Sequence, residues 1–199
     1  MKKLLAASVL AISTVCSANA ADISLKDPYI GMEFGMLFIS YDGVSGEALK
    51  YVPNSAFLLG FDLGAKFLPL ESSWNPGVSL NYNLSFPTEP EKWYVKQKPS
   101  YTFWTIGADF DNYFAVANRN KADERTDFVF GLGIHSITTS TTGGGTSGSD
   151  SSMALGFKLG IDQGIDDTMK FVARLHYFIP TEEGVDSFTK LSVGFKKIF

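Results

Sequence analysis

The stretch FTKLSVGFKKIF, residues 188–199, decides the fold. Leu191, Val193 and Phe195 alternate with Lys190, Ser192, Gly194 and Lys196, a period of two that an extended strand converts into two opposite faces. Seven earlier segments repeat the pattern: residues 29–41, 56–67, 77–86, 101–110, 126–137, 152–162 and 169–179. The third is the most regular, with Val78, Leu80, Tyr82, Leu84 and Phe86 set against Ser79, Asn81, Asn83 and Ser85. Ordinary globular strands run to about five or six residues. Crossing a bilayer at a tilt takes about 9–11, and every segment is at least that long.

The eight prolines, Pro28, Pro53, Pro69, Pro76, Pro87, Pro90, Pro99 and Pro180, fall between these segments. Proline cannot donate to a ladder, and a closed barrel has only central strands. With the N-terminus on the periplasmic side, the outward connections are 42–55, 87–100, 138–151 and 180–187, and the inward ones are 68–76, 111–125 and 163–168. Long external loops and short periplasmic turns are the rule for such barrels. Residues 111–125 are too long for a turn, so 113–117 are expected to extend a strand or to rest on the surface before the polar run 118–125. The Gly/Ser/Thr-rich 138–151 connection is expected to be flexible.

Periodicity alone allows a lipocalin-like soluble barrel as well as a membrane one. The polar face separates the two. It is crowded with glycine (Gly31, Gly35, Gly60, Gly64, Gly107, Gly131, Gly133, Gly156, Gly160, Gly194), which weakens an exposed strand but makes room in a narrow interior. The apolar face carries large side chains that would overfill so small a lumen. Hence the expected architecture is an all-β, eight-stranded, antiparallel up-and-down transmembrane β-barrel. The charges on the glycine face then lie inside, and Glu33, Asp62, Lys66, Asp109, Lys158, Arg174 and Lys196 are expected to form a lumen network. Glu33 is expected between Lys196 and Lys66, while Lys190 and Asp162 are expected to reach water at the mouths.

The front end reads as a secretory signal over residues 1–20: Lys2 and Lys3, an apolar run, then Ala18-Asn19-Ala20, with cleavage expected before Ala21. Cys16 follows Val15 rather than a small residue, which favours cleavage over lipidation. Residues 21–199 then form one barrel domain without cysteine, hence without an internal disulfide. Losing two lysines changes the charge from 17 minus 21 to 15 minus 21, or minus six. An acidic chain without a basic block gives no support for nucleic-acid binding.

Signal, alternating strands and terminal phenylalanine together make the chain resemble the small outer-membrane barrels of the OmpX and OmpA transmembrane-domain type. That resemblance implies that Leu191, Val193, Phe195 and Phe199 are the signal read by the barrel-assembly machinery. It further implies outer-membrane lipid and lipopolysaccharide as surroundings.

Catalysis by a Ser–His pair, as in the lipid A deacylases of similar shape, is not expected. Adjacent His135 and Ser136 point to opposite faces, and Arg174 and Phe178 flank His176 on its own face. No cofactor is implied. A shared metal is not expected either, because His135 and His176 lie two strand spacings apart, about 10 Å. Eight strands leave an interior only wide enough for side chains, so a narrow OmpW-like channel is the second choice. First comes an envelope-structural or adhesin-like role carried by the loops, with Trp93, Tyr94 and Lys96 as candidate recognition residues for a host or envelope partner. The competing reading places Trp93 and Tyr94 in the interfacial aromatic belt.

Overall fold

The computed structural model describes residues 25–44, 46–69, 72–94, 97–118, 120–143, 145–181 and 185–199. The expected signal segment lies outside them, as does Lys96. Eight strands follow in order: β1 (Lys26–Ser40), β2 (Ser55–Lys66), β3 (Trp74–Ser85), β4 (Ser100–Ala117), β5 (Thr126–Gly143), β6 (Thr146–Gly164), β7 (Met169–Pro180) and β8 (Ser187–Ile198), with one short 3-10 helix, η1 (Gly46–Tyr51). Each pairs antiparallel with its sequence neighbour, and β1 pairs with β8 to close the barrel. Among the described residues no helix is long and apolar enough to cross a membrane.

The alternation sorts the side chains as expected. Phe34 (53% exposed), Phe57 (65%) and Leu80 (61%) stand on an outer wall of large apolar groups that no protein covers. So wide an exposed apolar band has no place on a water-soluble monomer. Odd-numbered residues of β1 and β3, and even-numbered ones of β2 and β8, point inward, where the polar side chains are buried.

Several boundaries differ from the sequence reading. Strand β4 runs unbroken to Ala117, with Tyr113 buried in the lumen, so residues 113–117 are a strand extension and the inward connection shrinks to 118–125. β5 and β6 continue as a ladder to Gly143 opposite Thr146, replacing the expected flexible loop. Gly143 and Gly145 turn the chain at φ +87° and +80°, where a side chain would be strained. Pro28, Pro76 and Pro180 lie within strand ends rather than between strands. Proline donates no N–H there, but its carbonyl still joins the ladder, accepting from Phe199 N–H at Pro28 (2.9 Å) and from Phe67 N–H at Pro76 (2.9 Å).

Candidate functional surfaces: a filled lumen and clasped loops

The inner wall divides along its length. At the end bearing loops 41–54 and 86–99, external by the loop-length rule, Leu37, Ile39, Ala56, Leu58, Phe103, Ile137, Ala154, Phe178 and Phe188 form one buried apolar cluster. Tyr41, Tyr101 and Val185 pack against its rim. The Phe103 and Phe188 rings meet edge-on at 6.3 Å.

Below that plug the lumen is ionic. Lys190 Nζ lies 2.7 Å from Glu33 and also donates to Asn83 Oδ1 at 2.7 Å, while Ser192 donates to Glu33 at 2.7 Å. Lys158 pairs with Asp109 (2.7 Å) and Asp111 (3.0 Å) and donates to Ser79 (2.9 Å). Nearest the periplasmic turns, Asp127 receives Arg125 (2.6 Å), Lys170 (2.9 Å) and Lys66 (3.5 Å). Asp162 pairs there with Arg174 and Lys196. The Lys196 ammonium also lies 4.4 Å from the Tyr29 ring centroid and 4.7 Å from that of Tyr113. Arg125 donates to Ser72 O (3.0 Å), which ties the first periplasmic turn to the second.

Two expectations are corrected here. Glu33 is not flanked by Lys66 and Lys196. The register sets Lys66 opposite Lys26 and Lys196 opposite Gly31, both nearer the periplasmic mouth than Glu33. Lys190 reaches Glu33 instead. Nor do Lys190 and Asp162 reach water, since both are buried within ion pairs. Asp62 lies buried in the same interior, but among the described residues it makes no ion pair and its Oδ1 has no hydrogen-bond partner. Asp111, Asp127 and Arg125 went unread. The inward parity of Asp109 continues through Asp111, and that of Val129 runs back to Asp127, so strand phase would have found both carboxylates. Arg125 sits in a turn, where no period operates.

The histidines converge more than strand spacing suggested. Their ring centroids lie 6.3 Å apart, with the Phe178 ring 4.8 Å from His135 and 5.5 Å from His176. Backbone separation across β6 overestimates the gap because both rings project into a shared, narrow lumen. Glycine makes this approach feasible: a Cβ at Gly107 or at Gly156 would overlap the His135 ring. Asp109 Oδ1 lies 2.9 Å from His135 Nε2. Among the described residues no group of three His, Cys, Asp or Glu is arranged to hold a metal.

Outside the barrel, η1 and the 86–99 loop are clasped. Lys92 N–H donates to Lys50 O (2.7 Å), and Glu47 pairs with both Lys50 (2.9 Å) and Lys92 (3.0 Å). Those two lysines hold the exposed Glu47 carboxyl below its ordinary pKa by hydrogen bonding. Tyr94 stacks on Tyr51 at 4.7 Å and 16°, and the Trp93 ring lies 5.9 Å from Tyr94. Lys98 donates to Pro90 O (3.0 Å) and Glu91 O (2.6 Å), bracing the loop from within. Tyr94 is nonetheless 80% exposed.

On β8, Leu191, Val193 and Phe195 stand on the outer wall, and the Phe199 N–H donates to Pro28 O at the seam with β1. Lys197 lies 5.6 Å from the Phe199 ring centroid.

The structure is similar to that of Neisserial surface protein A, at 14% identity over 88% of this chain and 99% of that one, with a TM-score of 0.58. Another similar structure is Ail, the attachment invasion locus protein of Yersinia pestis, in complex with the heparin analogue sucrose octasulfate (13% identity, 85% and 99% coverage, TM-score 0.53). The outer membrane protein OprG of Pseudomonas aeruginosa is a third (14%, 88% and 97%, 0.52). At such identities the likeness speaks for the fold. No curated protein matches the sequence significantly. The family model for the outer membrane protein beta-barrel domain, however, matches residues 7–199. Closed eight-stranded topology, an uncovered apolar wall and that match agree: the chain belongs to the outer membrane protein beta-barrel domain family, as a small barrel of the OmpX and OmpA transmembrane-domain type seated in the bacterial outer membrane.

Proposed function

We propose that the barrel is a non-enzymatic anchor whose work is done at the cell surface by the clasped loops, in an adhesin-like or envelope-structural role. One observation carries this reading. The lumen is occupied along its length, by an apolar cluster at the external end and by interlocked ion pairs below, whereas the external loops hold an exposed Tyr94, stacked on half-buried Tyr51, in a braced arrangement. Rigid, exposed aromatics beside charge are the usual material of recognition surfaces. Ail, named for attachment and invasion, has a similar fold and supports the reading by analogy alone.

Under the same proposal residues 1–20 are removed as a signal peptide. The Leu191, Val193, Phe195 and Phe199 row presents itself to the barrel-assembly machinery, and lipopolysaccharide surrounds the external half of the wall. Glu33, Asp62, Lys66, Asp109, Lys158, Arg174 and Lys196 belong to a structural filling of the lumen.

Planar-bilayer conductance separates this reading from a narrow channel. Refolded protein showing the heat-modifiable gel shift of a folded barrel is expected to be electrically silent. It is also expected to increase attachment of cells that display it to a host-cell monolayer. Steady, saturable current with no gain in attachment would transfer the function to the lumen.

A further inference from the structure

The clasp encloses more than a contact between loops. Beside it lies a polar cleft of about 390 Å³, lined among others by Lys50, Asn54, Thr88, Glu89 and Glu91. Glu89 also lines a second polar cleft of about 560 Å³, with Gln97, Lys98, Ser100 and Thr142. We infer that the external face carries a carbohydrate-binding site, in which the Tyr51–Tyr94 platform meets the apolar face of a neutral sugar while the Glu89 and Glu91 carboxylates and the Asn54 amide bind its hydroxyls. The inference rests on the loop-borne role proposed above and names its ligand class.

Three features converge. First, a pyranose ring presents C–H groups on one face and hydroxyls around its edge, so a sugar site needs an aromatic plane next to acceptors. The stacked pair supplies the plane, with Tyr94 reaching solvent, and Lys50 and Val52 on either side of Tyr51 line the cleft. Second, the acceptors are uncommitted. Among the described residues Glu89 and Glu91 make no ion pair or side-chain hydrogen bond, whereas Lys50 and Lys92 are engaged by Glu47 and Lys98 by two backbone carbonyls. Carboxylates accept hydroxyl hydrogen bonds strongly. Third, the loops are tied before any ligand arrives, by the Lys92–Lys50 backbone bond, the Glu47 pairs and the Thr88 hydroxyl on Ser55 O (3.1 Å). Little conformational freedom is then lost on binding.

Charge selects among sugars. Glu89 and Glu91 outnumber Lys50 among the charges lining the first cleft, so that cleft disfavours highly sulfated chains such as the heparin analogue bound by Ail. Neutral hexoses could come from a host glycan or from the lipopolysaccharide core around the barrel, and the chemistry at the cleft is the same for both.

The test uses the full mature barrel in lipid nanodiscs, free of glycoside detergents, titrated while tryptophan fluorescence and ligand saturation-transfer NMR are followed. The probes are neutral hexaoses (cello-, laminari- and chito-series), dephosphorylated core oligosaccharide, and sucrose octasulfate. Saturable binding of a neutral hexaose or of the core, with the octasulfate inert, is expected, and the responding probe identifies the source. Binding should fall about tenfold in Tyr94→Ala and several-fold in Glu89→Gln/Glu91→Gln, both with an unchanged gel shift. Octasulfate binding, or no sugar binding at all, overturns the inference. If attachment to host cells nevertheless drops in Tyr94→Ala, the loop reading stands and only the ligand class falls. If attachment is also unaffected, both fall. Saturation transfer locating the sugar away from Tyr94 likewise rejects the site.

Discussion

The two ends of the lumen use the same strand geometry and opposite chemistry. At the external end the inward positions of β1 are Leu37 and Ile39, and at the periplasmic end they are Tyr29 and, further in, Glu33. Inward and polar are therefore not synonyms in a small barrel. The apolar end excludes water by packing, whereas the ionic end sets most of its buried charges in pairs, with Asp62 outside them among the described residues. Loss of one group should be felt differently at each end.

The largest effect is expected where one carboxylate serves several cations. Asp127→Ala leaves Lys66, Lys170 and Arg125 without their shared partner. Removing one side of a buried ion pair costs about 3–5 kcal/mol. Urea titration of the refolded barrel, read by the gel shift, should show a midpoint lowered accordingly. An unchanged midpoint would mean that water already serves those cations, and the contrast between the ends would dissolve.

At the apolar end, Phe103→Ala or Phe188→Ala should cost about 3 kcal/mol, the lower part of the range for deleting a buried phenylalanine, because the rim adjoins solvent. The same variants sharpen the comparison electrically. With the plug opened, the Glu33–Lys190 pair and the Lys158 cluster still fill the bore, so the bilayer trace should stay flat. A steady current from either single variant would show that the plug alone closes the barrel.

Much of this was written in the sequence, though unevenly. Period two, strand length and the glycine-rich face are properties of single strands, and they revealed the barrel and the direction of each side chain. Which charges meet is a property of register and tilt between strands, and the expected Glu33 pairing fails there: Glu33 lies opposite Gly194, and Lys190, four positions along β8, reaches it, whereas Lys196, two positions the other way, does not. The apolar plug was visible as Leu37, Ile39, Leu58 and Phe103 on the inward parity, but an interior assumed polar hid it. In the loops no period operates. The Trp93-Tyr94 pair stood out by composition, while its stacking partner Tyr51 and its brace Glu47 lie more than forty positions away, beyond any local signal.

Between the two ends sits His135, lodged over Gly107 and Gly156. Gly156→Ala should push the ring into Phe178 and cost about 1–3 kcal/mol, as overpacking does. Gly148→Ala is the control, since a Cβ there meets nothing within 4 Å, and a shift beyond about 0.5 kcal/mol would be unexpected for such a surface change. Equal destabilisation by both would mean that strand propensity, not the histidine's space, explains the glycine.

The smallest effect belongs to the loops, where charge is exposed and screened. Hydrogen bonds from Lys50 and then Lys92 hold the Glu47 carboxyl below its ordinary pKa in the folded state. A lowered folded-state pKa means that the clasp is fully stabilised above the ordinary glutamate value and loses that support as pH falls through the depressed one. The loops should thus stay together at neutral pH and loosen only once pH has fallen below the ordinary glutamate range. Ring-current shifts on Tyr51 and Tyr94, followed by NMR in nanodiscs from pH 7 to 3, report the stacking directly. Glu47→Gln should flatten that profile while leaving the barrel resonances in place, and high salt should weaken the clasp in the wild type alone. A profile that survives Glu47→Gln would assign the low-pH change to the ionic lumen beneath, and the loops would then be followers of the barrel rather than a separately braced surface.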